Sequence, residues 1–317
     1  MYLGIDVGGS SIKFAVIDEK LNIIHYETCD TPDNKNVLIV DELYRVASRL
    51  KDSYDFSYMG VSTAGVVDTK KMEIVSATET IKNYIGLNFK DKLEERLNVE
   101  VSADNDVNCA LLGEQLLGCA KGLNEVFCVA LGTGIGGAYY LDKMPEGSSF
   151  SVGEIGQIMY DPKTGKNFEQ RASTIALEQR IAKEIDESIS VKDFFDICKY
   201  LDSKEKNGKN MKSSVEYDSM DKKLLEMAMK YKDSSRKLMN SWLEDLAEGI
   251  TNMLLIIDPK YVIIGGAISG QGDDLIKRLE EKIDMFMPIK INKSKLLCAS
   301  LGNNAAIYGA IRPFIAE

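Results

Sequence analysis

Short apolar runs dominate the first hundred residues, and they read as strands before any long helical period appears. Residues 2–7 (Tyr-Leu-Gly-Ile-Asp-Val) and 12–18 (Ile-Lys-Phe-Ala-Val-Ile-Asp) are apolar and rich in β-branched side chains. The stretch Gly8-Gly9-Ser10-Ser11 between them predicts a hairpin closed by a glycine-rich turn. A third run, Leu21 to Thr28, extends the meander. Helical periodicity takes over from Val37 to Leu50, and Tyr58 to Ser62 returns to a strand that ends at Thr63-Ala64-Gly65. Beyond a loop holding Asn83-Tyr84-Ile85-Gly86, the spacing predicts a helix over Leu87–Leu97 and a short strand at Val99–Val101. Asn105-Asp106-Val107-Asn108 then leads into a helical stretch from Cys109. Strands first, then strand alternating with helix, predict a mixed α/β domain.

The second half opens the same way. Glu125 to Leu131 reads as a strand, Gly132-Thr-Gly-Ile-Gly-Gly137 as a glycine turn, and Ala138 to Leu141 as a strand again. This recurrence of strand, glycine turn and strand predicts a weak internal duplication. From Ser173 to about Met285 the pattern is mostly helical, broken by a polar, lysine-rich stretch, Asp202 to Ser219, that reads as a solvated loop. Leu238, Met239, Trp242, Leu243, Leu246, Ala247, Ile250, Met253 and Leu254 fall at i, i+3, i+4, i+7 spacing and are expected in the core. Tyr261 to Ile264 forms a short buried strand that ends at Gly265-Gly266.

A length of 317 residues suits two domains, and 44% hydrophobic with 28% charged residues is the composition of an ordinary globular chain. The net charge of −10 repels phosphate backbones and anionic lipid, so nucleic acid and membrane are not expected partners. No leader pattern opens the sequence and no run reaches the length of a membrane span, which predicts a cytoplasmic protein. The six cysteines contain no CxxC pair, which disfavours both a disulfide framework and a structural zinc site. His25 is the single histidine and lies in an apolar strand, where a structural role is expected. A zinc site of the HExxH type is thereby excluded, and carboxylates must carry acid–base work unless a Lys or Cys does.

Four places carry candidate chemistry. Asp6-Val7-Gly8-Gly9-Ser10-Ser11 combines a carboxylate, two glycines and two hydroxyls, which can cradle phosphate while Asp6 orders a hydrated Mg²⁺. An ordinary hairpin turn explains it as well. Gly132-Thr133-Gly134-Ile135-Gly136-Gly137 formally matches GxGxxG, yet it opens a strand rather than a helix, which disfavours a dinucleotide site and favours backbone N–H contacts to a triphosphate. Gly265-Gly266 can admit a flat purine or serve as a tight strand-to-helix turn. Asn105 and Asp106 stand between a strand and a helix, where they can cap the helix, or where Asp106 can accept a hydroxyl proton during phosphoryl transfer.

Together these segments resemble the ROK sugar kinases (repressors, open reading frames, kinases) of the actin-like ATPase superfamily, over nearly the whole chain. Gly4-Ile-Asp-Val-Gly-Gly-Ser-Ser-Ile-Lys13 is similar to the family's first phosphate motif, Leu131 to Gly137 to its second, and Asp258 to Gly266 to its adenosine motif. Asp104 to Asn108 with Leu112-Gly113-Glu114 resembles the catalytic segment, and Ser62 to Asp68 the sugar-binding strand end. The resemblance implies a two-lobed actin-like (ribonuclease H-like) α/β fold with duplicated mixed-sheet domains and a central cleft. The smaller lobe is expected over 1–115 plus about 300–317, and the larger, with a helical insertion, over 116–299. It further implies ATP-dependent phosphorylation of a sugar hydroxyl with Asp106 as base, and Gly65, Thr78, Asn105, Glu154 and Glu169 around the sugar. Asp6, Gly8, Gly9, Ser10, Ser11, Lys13, Gly132, Thr133, Gly134, Gly136, Gly265 and Gly266 are expected to hold MgATP. A homodimer is expected.

The chain departs from the family at one place. Many members carry ExGH followed by a cysteine-rich loop that holds zinc, whereas here Gly153-Glu154-Ile155-Gly156-Gln157 gives ExGQ and the loop has shrunk to Asp161–Phe168. No thiolate or imidazole remains in this stretch, so no zinc is expected. Gln157 can replace the histidine as a hydrogen-bond donor without its charge. The altered pocket wall near the anomeric end can admit a substituted sugar, such as a β-glucoside or an N-acetylated hexosamine, so a glucokinase, a β-glucoside kinase or an N-acetylmannosamine kinase is expected. Two rival readings are a sugar-sensing regulator and an actin-like ATPase that needs no sugar. The first is disfavoured because the Asp6 turn comes immediately, with no helix-turn-helix ahead of it.

Overall fold

In the computed structural model, which describes residues 1–77, 81–158, 161–207, 221–288 and 293–315, the first apolar run forms strand β1 (Tyr2–Val7). It folds back antiparallel as β2 (Ser11–Ile17), with Val7 opposite Ile12, and β3 (Ile23–Asp30) continues the meander. Helix α1 (Ile39–Lys51) buries Ile39, Val40, Leu43, Val46, Ala47 and Leu50 on one face, the stripe its 3.6-residue period produces. Strand β4 (Tyr58–Thr63) returns parallel to β1. A two-stranded hairpin, β5 (Val66–Asp68) with β6 (Glu73–Ser76), and helix α2 (Phe89–Leu97) precede β7 (Glu100–Asn105), which pairs parallel with β4. The sheet order is β3-β2-β1-β4-β7. Strand β7 continues to Asn105, past the expected end at Val101, and helix α3 (Asp106–Leu117) follows without a gap.

The second sheet repeats the plan. Strands β8 (Val126–Leu131) and β9 (Ile135–Tyr140) form the antiparallel hairpin. Helices α4 (Phe168–Ala172), α5 (Thr174–Glu184), α6 (Val191–Asn207), α7 (Lys222–Lys230) and α8 (Lys232–Ile257) follow. Strand β10 (Tyr261–Gly265) pairs parallel with β8; then come α9 (Asp273–Phe286), β11 (Lys295–Cys298) parallel to β10, and α10 (Ala305–Ala310). The order β11-β10-β8-β9 matches β7-β4-β1-β2 strand for strand, so the duplication read from the glycine turns extends to whole sheets.

Three further features differ from expectation. The second glycine turn spans only Gly132–Gly134, because Gly136 and Gly137 lie inside β9. Their glycine identity answers close packing rather than turning: a Cβ on Gly136 would stand 2.5 Å from Val107 Cγ2, and one on Gly137 2.5 Å from the Gly153 carbonyl. The expected solvated loop from Asp202 begins inside α6, and the rest of it lies outside the described residues. The β5–β6 hairpin has strands of three and four residues, too short for a periodic signal.

Each lobe has its own apolar core, one around Leu3, Ile5, Phe14 and Val61, the other around Val129, Phe168, Trp242 and Ile264. In the second, every apolar position expected on α8 is buried, and Trp242 Nε1 donates to the Ala172 carbonyl at 3.0 Å. Helices α3 and α10 cross between the lobes: α3 springs from β7 and packs on β8 and β9, while α10 follows β11 and packs on β1 and β4. No helix among the described residues is long and apolar enough to cross a membrane, and the six cysteines are unpaired.

Candidate active site

The first turn is built around Asp6. Cross-strand register puts Lys13 opposite Asp6 on β2 and Ser62 beside it on β4. Lys13 Nζ donates to Asp6 Oδ2 at 2.7 Å and Ser62 Oγ to Oδ1 at 2.9 Å, which holds a carboxylate that is only 8% exposed. Gly8 N–H closes the hairpin on the Ser11 carbonyl at 3.0 Å, while Gly9 and Ser10 face solvent. Thr31 pins the turn from outside, its Oγ1 donating to the Gly8 carbonyl and its N–H to that of Ser10. Thr31 belongs to the loop after β3 and carries no sequence signal that links it to Gly8.

Asn105 and Asp106 divide the work that the sequence left open between them. Asn105 is the cap: its Oδ1 accepts from Val107 N at 2.9 Å and Asn108 N at 3.3 Å, and its Nδ2 donates to the Gly65 carbonyl at 2.9 Å. Gly65 needs its identity, with φ at +101° and only 2.7 Å between a Cβ and the Ser76 carbonyl. Asp106 is the first helical residue, and its Oδ1 accepts from Val107 N at 3.0 Å. Burial, then the negative charge of Asp6 and more weakly that of Glu154, push its carboxyl up to about 6 against the Val107 N–H. Asp104, bonded to Asn108 Nδ2 and Asn105 N, is likewise pushed up to about 6 by burial.

The second turn meets the remaining carboxylates. Glu169, at the start of α4, accepts from Ile135 N at 3.3 Å and from Gln157 Nε2 at 2.8 Å, and its Oε2 occupies the space that a Cβ on Gly134 would need. Gln157 Oε1 in turn accepts from Asn167 Nδ2 at 3.1 Å, and Asn167 caps α4 in a reciprocal box with Gln170. Burial first, then the Glu169 charge, raise the Glu154 carboxyl. The shortened loop closes on itself, with Asp161 accepting from Lys163 N and Thr164 Oγ1 and its N–H bonded to the Lys166 carbonyl. Among the described residues no three His, Cys, Asp or Glu side chains converge as a metal cluster.

Gly266, with φ at +84°, lies against the second turn, where a Cβ would come within 2.1 Å of the Leu131 carbonyl. A groove of about 570 Å³ opens at Thr133 and Gly134 of that turn, lined also by Lys166, Glu169, Ser173 and Gln179. The fold thus gathers Asp6, Asp106, Glu154 and Glu169 into one electrostatic neighbourhood and ties Gly65 to Asn105. Thr78 lies outside the described residues.

Residues 2–316 match the ROK family. The chain belongs to that family. It is 32% identical to an uncharacterized protein of Clostridium perfringens, over 99% of this chain and 97% of the other. A glucokinase of Halalkalibacterium halodurans is 26% identical over 97% of this chain and 93% of its own length. The solved ROK family glucokinase from Streptomyces griseus, in complex with glucose and AMPPNP, aligns with a TM-score of 0.74 at 25% identity, covering 98% of this chain and 97% of that one. The duplicated sheets and crossing helices are those of the two-lobed actin-like ATPase fold that ROK proteins share.

Proposed function

We propose that this ROK protein is an ATP-dependent sugar kinase in which Asp106 takes the proton from the attacking sugar hydroxyl. The observation that carries the reading is the state of Asp106: a carboxylate at the head of α3, with no cation paired to it among the described residues and held up to about 6 by burial and by Asp6. A carboxylate of that basicity accepts a hydroxyl proton more readily than an ordinary aspartate, yet is ionised at neutral pH.

In this reading the nucleotide phosphates lie on the backbone of the turns at Gly8–Ser11 and Gly132–Gly134, with Lys13 neutralising Asp6 and the purine end toward Gly265-Gly266. The sugar is held between Gly65, Asn105, Glu154 and Glu169. Both Asp6 oxygens already accept a hydrogen bond, which suits an outer-sphere contact through water. Mg²⁺ carried on ATP would be held there and would supply neutralisation of charge on the transferring phosphoryl group. The self-contained Asp161–Lys166 turn supports a site that uses no zinc. Lobe boundaries near 115 and 300 fit the crossing of α3 and α10.

A coupled assay of ADP release across glucose, fructose, mannose, N-acetylmannosamine and cellobiose tests this reading. Sugar-dependent ADP release with formation of a sugar phosphate is expected. Sugar binding with no ADP release would identify a sensor instead, and ADP release indifferent to every sugar would identify an ATPase.

A further inference from the structure

We infer that Glu114 is a positioning residue that fixes how α3 crosses α10, and through α3 where Asp106 stands against the second turn. For its kinetic arm this rests on the kinase reading above. Glu114 is a carboxylate only 1% exposed, in the second half of α3. Its Oε1 accepts from Ser300 N and Leu301 N, and its Oε2 from Ser300 Oγ and Cys119 N, each at 2.8 Å. Among the described residues its charge is met by these donors and not by a cation. A buried ion is costly unless every lone pair is used, so four charge-assisted bonds to one side chain mark a position under tight geometric demand.

The donors come from both sides of the crossing. Cys119 follows α3, whereas Ser300 and Leu301 join β11 to α10. Around this pin the helix backbones nearly touch: a Cβ on Gly113 would stand 2.0 Å from the Ala305 carbonyl, and one on Gly309 1.6 Å from that of Cys109. Gly118 likewise makes room for the carboxylate, since a Cβ there would meet Glu114 Oε2 at 1.9 Å. Asp106 lies eight residues earlier on the same helix, about 12 Å along its axis, too far for Glu114 to touch a reacting atom. What Glu114 sets is the register of α3. Beside Asp106, Val107 packs on Gly136 of β9, so a shift of α3 changes the separation of Asp106 from the Gly132–Gly134 turn.

Two variants of the full chain test this, Glu114→Gln, which turns one acceptor into a donor facing N–H groups, and Ser300→Ala, which removes one donor. Glu114→Gln is expected to lower kcat by about 10- to 100-fold, the effect of a displacement near 1 Å, with KM for sugar within about two-fold of wild type. Ser300→Ala is expected to lower kcat by about three-fold with KM again unchanged. Hydrogen exchange at the Val107 and Asn108 amides, measured without sugar or nucleotide, is expected to quicken by about ten-fold in Glu114→Gln. Should Glu114→Gln not fold, Ser300→Ala decides alone, by the same kcat and exchange readings. Variants that melt earlier but keep wild-type kcat and wild-type exchange at α3's first turn would overturn the inference, leaving Glu114 a purely stabilising residue. If the wild-type chain phosphorylates no sugar, the kinase reading fails, while the exchange measurement still decides the role of Glu114.

Discussion

Asn105 donates its Nδ2 to the carbonyl of Gly65 at 2.9 Å, joining the cap of the α3 helix to the glycine at the end of β4. Its other end caps α3, so one side chain ties the start of the helix to the Gly65 backbone. Asn105→Asp keeps the cap but turns the donor into a carboxylate that faces the Gly65 oxygen. Thermal stability is expected to fall little, by about 1 kcal/mol, while KM for sugar rises about ten-fold. The added charge beside Asp106 should also move the rising limb of the kcat–pH profile upward, which steady-state kinetics over a pH series would show.

Gly65 itself tolerates no side chain. Gly65→Ala places a Cβ against the Ser76 carbonyl at a backbone angle of +101°. A loss of about 2 kcal/mol is expected, read as a lower urea midpoint with unchanged slope.

The Gln157 amide is spent on Glu169 and Asn167, so its effect on sugar is expected to pass through Glu169. Gln157→Ala frees one Glu169 oxygen and is expected to raise KM for sugar about five-fold, near the worth of one hydrogen bond, with KM for ATP unchanged. Equal rises in both constants would place Gln157 in nucleotide binding instead.

The strands, the duplication and the apolar face of α8 were legible in the sequence because period and glycine punctuation encode them directly. Asp6 and Asp106 were legible as residues, but their relation was not, since it depends on sheet register and on α3 starting at Asp106 without a loop. Which of Asn105 and Asp106 caps the helix is a matter of side-chain rotamer, and the sequence allows either. Thr31, Glu114 and Asn167 act across gaps in the chain that no local pattern spans. Gly136 and Gly137 misled in the other direction: they resemble turn residues, and packing against Val107 and Gly153 is what demands them.

The carboxyls of Asp104 and Asp106 also set a pH dependence of stability. Both are raised to about 6, so between their ordinary value and that point the folded chain holds protons the unfolded chain has released. Their contribution therefore favours the folded state at low pH and is lost as pH rises through about 6. Asp106→Asn removes one such group, and also its repulsion by Asp6. At pH 7 the variant is expected to be more stable than wild type by ~1–2 kcal/mol, measurable by urea unfolding, and the difference should shrink toward pH 4.

The same variant tests the central claim. Single-turnover phosphorylation of the best sugar from the screen, measured alongside calorimetric binding of that sugar, should show Asp106→Asn slowed by about 10²- to 10⁴-fold with binding within about three-fold of wild type. Phosphorylation by Asp106→Asn at a rate near wild type would contradict the assignment of Asp106 as the base.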